Sequence, residues 1–291
     1  MSFHVRCPSM NVPSAISASF HGRRERVHGH ATIAFSKCAI RDMAEVAPTR
    51  LLFPEGKNSD FPLVHVANTN GGLAGGDRMT LAISVGPGAS ATVVPQTAEK
   101  IYGGRPEEAP TTIKTRISIG EGGRCEWMAQ EAVLFDSGKM SRSLDIDLAS
   151  NARILAMETL GMSRDALGKA RSGDSIEDRW TIYRDGRLIW SDTLRFGGAV
   201  TRSGQLSPYP DGTEASATLV YAGPDAGEYL ELARTLVVPS AGKSSCFDGL
   251  LILRLIGSNL RTLRTDALRA GGVLRAAIFG VSPSMAAIGY R

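Results

Sequence analysis

Three consecutive segments of this chain repeat one pattern, in which a short alternating strand is followed by a turn and a second strand. They begin at Ile83, Ile117 and Ile146, which are 34 and then 29 residues apart, and their turns contain glycine, serine or asparagine. Strand pairs that recur at this interval without a helical period between them predict stacked coils of a β-solenoid or a layered β-sheet. An antiparallel meander with coincidentally similar turns is the alternative. We therefore expect a mainly β fold of layered, solenoid-like (β-helix-like) sheets.

The chain after the repeats follows other patterns, which add a small C-terminal helical part to the expected fold. Asp185-Gly186 lies between two alternating strands and predicts a hairpin with a type I′ turn. A polar stretch rich in glycine and proline follows, and leucines at near-helical spacing predict one helix after Ser258. We expect a single domain, 1–291, with a layered β part at about 25–196, a β-plus-helix part at about 213–275, and a tail at 276–291 without assigned structure.

Composition and charge narrow the function classes. Hydrophobic residues make up 43% of the 291 residues and charged residues 21%, a balance typical of a globular protein with a sizeable core. The net charge of +4 is too small to indicate nucleic-acid binding, and the one dense basic run, 21–30, contains no aromatic residues for base stacking. That run is expected to be a solvated strand or arm, with docking to acidic partners as the alternative.

Neither the cysteines nor the apolar runs indicate a secreted or membrane protein. Cys7, Cys38, Cys125 and Cys246 are far apart and form no Cys-x-x-Cys pair, which argues against a zinc knuckle or a thioredoxin-like motif. The sequence has no apolar signal-peptide region, and no apolar run approaches the ~18 residues of a membrane span. We expect a cytoplasmic protein with reduced thiols.

A glycine-rich loop places the strongest demands on the backbone. Gly71, Gly72, Gly75 and Gly76 stand within six positions and are followed by Asp77. Paired glycines indicate positive φ angles or the close approach of another group. A P-loop needs Gly-Lys-Ser/Thr leading into a helix, and a dinucleotide fingerprint also needs a helix, so neither is supported. The simpler interpretation is a structural loop in which Asp77 accepts hydrogen bonds from backbone amides.

Acidic side chains in apolar surroundings are the candidates for chemistry. Buried carboxylates are unfavourable unless they are paired, hydrated or metal-bound. The candidate positions are Asp77, Glu126, Glu131, Asp136 and Glu158. In a regular strand Glu126 and Gln130 point the same way and Glu131 the opposite way. The alternative is that these carboxylates cap turns or pair with arginines, for which the candidates are Arg78, Arg124, Arg153 and Arg164.

The sequence contains no recognisable catalytic set. His28 and His30 could share one face of a strand and bind a metal weakly, whereas His65 lies in an apolar strand and is expected to be a satisfied core histidine. A glycosidase-like carboxylate pair stays open, although nothing fixes the distance between any two acidic residues. The absence of a nucleophile elbow or a Cys-His constellation favours a binding or assembly role over an enzyme, with no catalytic or cofactor-binding residue.

Three motifs together form a pattern that is specific as a set. Residues 71–78 read Gly-Gly-x-x-Gly-Gly-Asp-Arg, residues 96–102 read Gln-x-x-x-Lys-x-Tyr, and residues 126–136 read Glu-Trp-x-x-Gln-Glu followed by Phe-Asp. In this order they resemble the signatures of the urease accessory protein UreD family, also called UreH. The resemblance extends from roughly Phe53 to Gly257.

The tail departs from the pattern of that family. Its members usually finish with a Pro-Arg-x-Trp-like motif, where this chain has a stretch from Ile278 to Met285. The resemblance therefore supports no expectation for the last residues of the chain.

The resemblance implies a non-enzymatic role in the maturation of urease. The implied partners are the urease apoprotein subunits, the accessory protein UreF and, through UreF, the nickel-carrying GTPase UreG. It also implies a β-rich, solenoid-like protein that acts as a scaffold chaperone. Nickel would reach the urease active site through the accessory complex by way of a polar internal tunnel, with no cofactor tightly bound to this chain.

Within this chain we expect Asp77, Glu126, Glu131 and Asp136 to lie near one polar passage for nickel, on the ground that they cluster around the motifs. Borderline cations accept oxygen and imidazole ligands, and a conduit must release an ion as readily as it takes one up. Weakly held carboxylates suit such a passage. A β-solenoid carbohydrate-active enzyme with a carboxylate pair is the other function that we consider.

Overall fold

The computed structural model describes the chain as two large sheets with helices near the C-terminus. The described residues are 25–37, 39–54, 60–105, 107–135, 137–161, 174–197, 213–237 and 242–290. Within these ranges the strands are β1 (His28–Ser36), β2 (Ala39–Val46), β3 (Thr49–Leu52), β4 (Leu63–Asn68), β5 (Leu73–Ala74), β6 (Arg78–Val85), β7 (Ser90–Pro95), β8 (Glu99–Tyr102), β9 (Thr111–Ile119), β10 (Arg124–Phe135), β11 (Lys139–Leu148), β12 (Arg153–Gly161), β13 (Ser175–Arg184), β14 (Arg187–Gly197), β15 (Ala215–Ala222), β16 (Gly242–Phe247) and β17 (Leu250–Gly257). The α-helices are α1 (Leu230–Leu236) and α2 (Leu260–Phe279), and 3₁₀ turns cover Ala226–Tyr229 and Ala286–Ile288. The mainly β class with a small C-terminal helical part is confirmed.

Successive strands alternate between the two sheets through the middle of the chain. The first sheet has the order β14-β13-β11-β9-β6-β1-β2, and the second has the order β16-β17-β15-β12-β10-β7-β4-β3, with β8 and β5 attached beside β10. The central strands run parallel within each sheet, whereas the outermost strands pair antiparallel. Each sequence repeat therefore contributes one strand to each sheet.

The repeating isoleucines set the register of the first sheet. Ile83 lies opposite Ile117, and Ile117 lies opposite Ile146. All three are at most 1% exposed and pack in the core between the sheets. Equivalent residues of the repeats thus stack in neighbouring parallel strands, where β-branched side chains pack well. Classification of the arrangement as a solenoid stays a prediction.

The molecule has a second apolar layer on the outer face of the second sheet. Helices α1 and α2 cover this face, with Leu219 and Leu253 of the strands packed against Leu263 and Leu274 of α2 in one buried cluster. The face would otherwise expose a continuous apolar surface, so the helical part completes the burial of this sheet.

The backbone confirms the hairpin and the C-terminal helix predicted from the sequence. Asp185 and Gly186 have φ angles of 49° and 74°, as a type I′ turn requires. Helix α2 begins after Asn259, whose side chain accepts a hydrogen bond from the amide of Thr262, and it ends at Gly280 with φ of 68°. The helix thus continues beyond the expected boundary at 275.

The tail, for which no structure was predicted, packs against the second apolar layer. Val281, Met285, Ile288 and Tyr290 are all buried there. Sequence periodicity gives no signal for such a segment, because it consists of turns held by packing rather than of a regular element.

Other expectations concern thiols, the basic run and membranes. Cys125 and Cys246 are free cysteines, whereas Cys7 and Cys38 lie outside the described residues.

The part of the basic run that the structure describes leads into β1. In the described part of the chain, no helix combines the length and the apolar character that crossing a membrane requires.

Candidate functional site

The three sequence motifs meet in one part of the second sheet. Strand β5, which lies inside the glycine-rich loop, pairs with β8, and β8 pairs with β10. The loop, the 96–102 segment and the 126–136 segment thus supply adjacent strands, although they are far apart in the sequence. This meeting point is the candidate functional site.

Asp77 has a structural role in the glycine-rich loop. Its two carboxylate oxygens accept hydrogen bonds from the amides of Val27 at 3.0 Å and Ala74 at 2.8 Å. The side chain is 6% exposed, so both bonds form away from solvent. The carboxylate therefore closes the loop and ties it to the segment before β1, as the backbone-amide interpretation predicted.

Replacing Gly76 by valine is expected to lower the free energy of unfolding by about 1–3 kcal/mol. Gly76 has a φ of +85°, and a Cβ atom there would lie 3.1 Å from Nε of Arg26. Gly76→Asn is the matched control, because asparagine tolerates positive φ better than a β-branched residue does. Denaturant unfolding compares the three proteins, and a valine variant as stable as wild type would contradict this backbone argument.

Glu126 forms a buried ion pair with helix α2. Its carboxylate is 0% exposed and faces the guanidinium of Arg275 in a two-bond arrangement, with Nε to Oε1 at 2.8 Å and Nη2 to Oε2 at 2.9 Å. The hydroxyl of Thr92 donates a further bond to Oε2 at 2.5 Å. Arg275 also donates to the carbonyl of Ser282. The charge of Glu126 is therefore neutralised by a partner 149 residues further along the chain.

Glu131 also faces α2, so the prediction that it points away from Glu126 was wrong. The pairing of β10 with β12 shifts register between Met128 and Glu131, and such a bulge breaks the strict alternation of side chains. Nε of Arg264 lies 3.0 Å from Oε2 of Glu131, and Nη2 of the same arginine donates to Oε1 of Gln130 at 3.2 Å.

Not all the predicted residues and partners are found at the site. Asp136 and Arg164 lie outside the described residues. The expectation that carboxylates pair with arginines is met at Glu126 and Glu131, but by arginines of α2 that were not among the predicted partners.

An interior cavity of about 90 Å³ lies between the two sheets, next to the point where the motifs meet. Residues of both sheets line it, including Glu99, Trp127, Gln130, Arg142 and Glu158. We call this space the interior cavity.

One guanidinium in the cavity wall faces two carboxylates. Arg142 donates to Asp178 through Nε at 2.9 Å and Nη2 at 2.6 Å, and its Nε lies 3.3 Å from Oε2 of Glu158. Oε1 of Glu158 accepts from the indole of Trp127 at 3.2 Å. Among the described residues and by hydrogen-bond geometry, Oε2 of Glu158 has no donor. If Asp178 and Glu158 are both ionised, their two negative charges exceed the single positive charge of Arg142.

Two carboxyl groups of the cavity titrate near neutral pH. Burial raises the pKa of Glu158 to about 7, with the charge of Arg142 acting in the opposite direction. Burial also raises the pKa of Glu99 to about 7, although the side chain of Asn68 donates a hydrogen bond to it at 2.9 Å. The negative charge of the cavity therefore varies with pH in the physiological range.

The stability of the folded chain is expected to fall by about 1–3 kcal/mol through Glu99 as the pH rises from about 5 to about 8. Because the pKa of Glu99 is raised in the fold from 4.5 to about 7, the folded state binds more protons than the unfolded state between these values. Its contribution is present at low pH and is lost as the pH passes through about 7. Denaturant unfolding across this range, for wild type and Glu99→Gln, measures the effect. Identical pH profiles for the two proteins would contradict it.

Two further spaces adjoin the interior cavity. An outer pocket of about 480 Å³ is lined by His65, Gln96, Thr97, Ala98, Gln130, Glu131, Arg264 and Gly289. It shares Thr97 and Gln130 with the interior cavity. A smaller space of about 10 Å³ is lined by Asp178 and Asp192, and it shares the lining residues Arg142 and Glu158 with the interior cavity. Polar side chains thus follow one another from the outer pocket, through the interior cavity, to the small space lined by Asp178 and Asp192.

The histidines and other metal-ligand types do not form a cage in the described part of the chain. No group of three or more His, Cys, Asp and Glu side chains there is placed to hold a metal ion. His65 lies at the outer pocket, where Nε2 is 3.1 Å from the carbonyl oxygen of Ile288, and Nδ1 of His30 lies 3.1 Å from the hydroxyl of Thr80. His65 is therefore hydrogen-bonded as expected, but it is half-buried at the outer pocket and does not lie in the core.

Sequence reasoning missed two central residues of the site. Glu99 stands inside the 96–102 motif but was not selected, although an acidic residue within a motif was a usable signal. Arg142 gave no signal, because its significance depends on strands β12 and β13 bringing Glu158 and Asp178 to it.

Comparisons with known proteins point to one family. The family model described as UreD urease accessory protein matches residues 27–290. The chain is 35% identical to the urease accessory protein UreD of Rhizobium leguminosarum bv. viciae over 253 residues, covering 86% of this chain and 92% of that protein. It is 35% identical to the UreD of Xanthobacter autotrophicus over 261 residues (88% and 89%) and 36% identical to that of Rhizobium rhizogenes over 250 residues (85% and 90%). The match to the family model includes the tail that departs from the usual ending.

Proposed function

Because this chain belongs to the UreD family of urease accessory proteins, we propose that it acts in urease maturation as a non-enzymatic scaffold for nickel insertion. In this role it binds apo-urease and UreF, and through UreF the GTPase UreG. The family match over residues 27–290 carries the proposal. The partners come from the resemblance, and the route of the ion is argued from the polar spaces of the site.

Nickel is cargo in this proposal, and the interior cavity is the part of the chain suited to pass it. With Asp178 and Glu158 both ionised, the group around Arg142 carries an excess negative charge that favours a cation. Oε2 of Glu158 is paired with Arg142 at 3.3 Å but accepts no hydrogen bond from the described residues, so it is the oxygen placed to contact the ion. Because the cavity provides few ligands, it would hold the ion weakly, as a conduit requires. Glu99 and Glu158 line this cavity, and Glu131 lines the outer pocket next to it.

The residues first proposed for the passage now divide into two groups. Glu131 stays on the proposed route. Asp77 and Glu126 are engaged by backbone amides and by Arg275, respectively, which favours structural roles for both. Asp136 stays a prediction outside the described residues.

The size of the interior cavity argues against a carbohydrate-active site at the point where the motifs meet. Small-molecule sites usually measure about 300–1,000 Å³, well above the 90 Å³ of the interior cavity where carboxylates gather. The outer pocket is large enough, but Glu131 is the one carboxylate among its described lining residues. A glycosidase needs two carboxylates at the same sugar.

A urease-positive host that lacks this chain tests the proposal. We expect urea-dependent ammonia production to fall to background and to return when the chain is supplied, with UreF and apo-urease co-eluting with the tagged chain. A carbohydrate-active enzyme would leave ammonia production unchanged. Full urease activity without the chain would therefore overturn the proposed function.

A further inference from the structure

A buried hydroxyl lies on the outer face of the first sheet, on the opposite side of that sheet from the interior cavity. Ser143 of β11 points to this face, because its neighbours Arg142 and Leu144 point to the cavity wall and the core. Ser143 is nevertheless 8% exposed, and its Oγ has no hydrogen-bond partner among the described residues. A buried hydroxyl of this kind is unfavourable, so a group that accepts its hydrogen bond would be bound with a gain.

Two cations flank Ser143 on the neighbouring strands. Lys114 of β9 and Arg179 of β13 are its register partners in the parallel sheet. Adjacent strands are about 4.8 Å apart, so the three residues form one row about 10 Å long with the hydroxyl at its middle. Both cationic residues are exposed, and their side chains are long enough to reach over a serine between them.

The surrounding charges favour an anion at this row. Asp145 lies 3.9 Å from Arg179, which is too long for a hydrogen bond, so this carboxylate leaves the guanidinium donors available. Asp145 also stands opposite Arg116, and Glu177 is paired with Arg195 at 3.1 Å. Together with the ammonium of the row, four cations therefore face two carboxylates on this part of the face.

We propose that Ser143, Lys114 and Arg179 form a binding site for an oxyanion. The hydroxyl of Ser143 donates to one oxygen, the guanidinium of Arg179 donates to two oxygens side by side, and the ammonium of Lys114 neutralises the remaining charge. A phosphate and a carboxylate both present oxygens that these donors fit. The site is separate from the interior cavity, and the inference does not depend on the proposed function.

Calorimetric titration of the full chain with inorganic phosphate at low ionic strength tests the site. We expect saturable binding to wild type and about tenfold weaker binding to Ser143→Ala, because a hydrogen bond to a charged group is lost. The matched control is Ser84→Ala, the same change on the same face. Ser84 lies between Ala34 and Ser118 instead of between two cations, so this control should bind phosphate like wild type.

The charge of the site is tested with Lys114→Gln, which should weaken phosphate binding about threefold and reduce its dependence on salt. Lys243→Gln is the control, because Lys243 is also an exposed lysine on a strand but belongs to the second sheet. Repeating the titrations with a glutamate-rich peptide distinguishes the two sources of an oxyanion. Tighter binding of phosphate assigns the site to a phosphate ligand, and tighter binding of the peptide assigns it to carboxylates of a protein.

Unfolding without added anion separates this role from a structural one. Because Oγ of Ser143 has no partner among the described residues, Ser143→Ala should be at least as stable as wild type in denaturant. The proposal would be overturned by a wild-type chain that binds neither phosphate nor the peptide saturably, or by equal affinities of the two serine variants. Equal affinities of the two lysine variants, or a marked loss of stability in Ser143→Ala, would also overturn it.

Discussion

Replacing Arg275 with leucine is expected to lower the free energy of unfolding by about 3–5 kcal/mol, because it leaves the carboxylate of Glu126 buried without its cation. Glu126 is 0% exposed and Arg275 is 1% exposed, so water cannot replace the lost partner without opening the fold. Denaturant unfolding followed by circular dichroism measures the loss. A decrease below about 1 kcal/mol would mean that the pair is far more hydrated than the structure describes.

The double variant Glu126→Leu with Arg275→Leu is the control for this effect. A buried ion pair replaced by apolar residues of similar volume is often close to neutral, so the double variant should be more stable than Arg275→Leu alone. If instead the double variant loses at least as much stability, the loss comes from packing around α2 rather than from an uncompensated charge.

Glu158→Gln is expected to lower the nickel content of urease by roughly tenfold, the scale on which a changed contact near a metal alters its affinity. Glutamine keeps the shape of the side chain and can accept the bond from Trp127, while Arg142 keeps its two bonds to Asp178. The fold should therefore survive while the negative charge of the interior cavity falls. Elemental analysis of purified urease measures nickel, beside pull-down of UreF and urease with the tagged chain.

Glu177→Gln is the matched control, because it is the same change on β13, the next strand along the chain, which belongs to the other sheet. Glu177 is half-buried, with its side chain 45% exposed, and it pairs with Arg195 outside the cavity lining. Full nickel loading of urease with Glu158→Gln would contradict passage of nickel through the interior cavity and would leave only the scaffold role. Equal losses in both variants, or loss of partner binding together with nickel, would also contradict a specific role for Glu158.

The fold could be predicted from the sequence where the pattern was local. The repeats starting at Ile83, Ile117 and Ile146, the Asp185-Gly186 turn and the helix after Ser258 each depend on residues within one or two elements. Their hydrophobic period and turn chemistry act over short distances, so the sequence shows them directly. The alignment of Ile83, Ile117 and Ile146 in neighbouring strands follows once similar strands stack in parallel.

The candidate site could be predicted only in part, because its chemistry depends on distant partners. Asp77 behaves as its neighbours suggest, since its hydrogen bonds lie within and beside the loop. The roles of Glu126 and Glu158 depend instead on Arg275 and Arg142, which strand order and helix packing bring to them. A bulge in β10, invisible to strict alternation, turned Glu131 toward α2.

The ion pair between Glu126 and Arg275 also bears on the order in which the chain can complete its fold during synthesis. Synthesis proceeds from the N-terminus and a domain generally folds as a unit, so the strand that carries Glu126 emerges long before helix α2. Until Arg275 leaves the ribosome, the central strand of the second sheet holds a carboxylate whose burial is unfavourable. This ion pair, and the covering of that face of the sheet by α2, can therefore form only after nearly the whole chain has been synthesised.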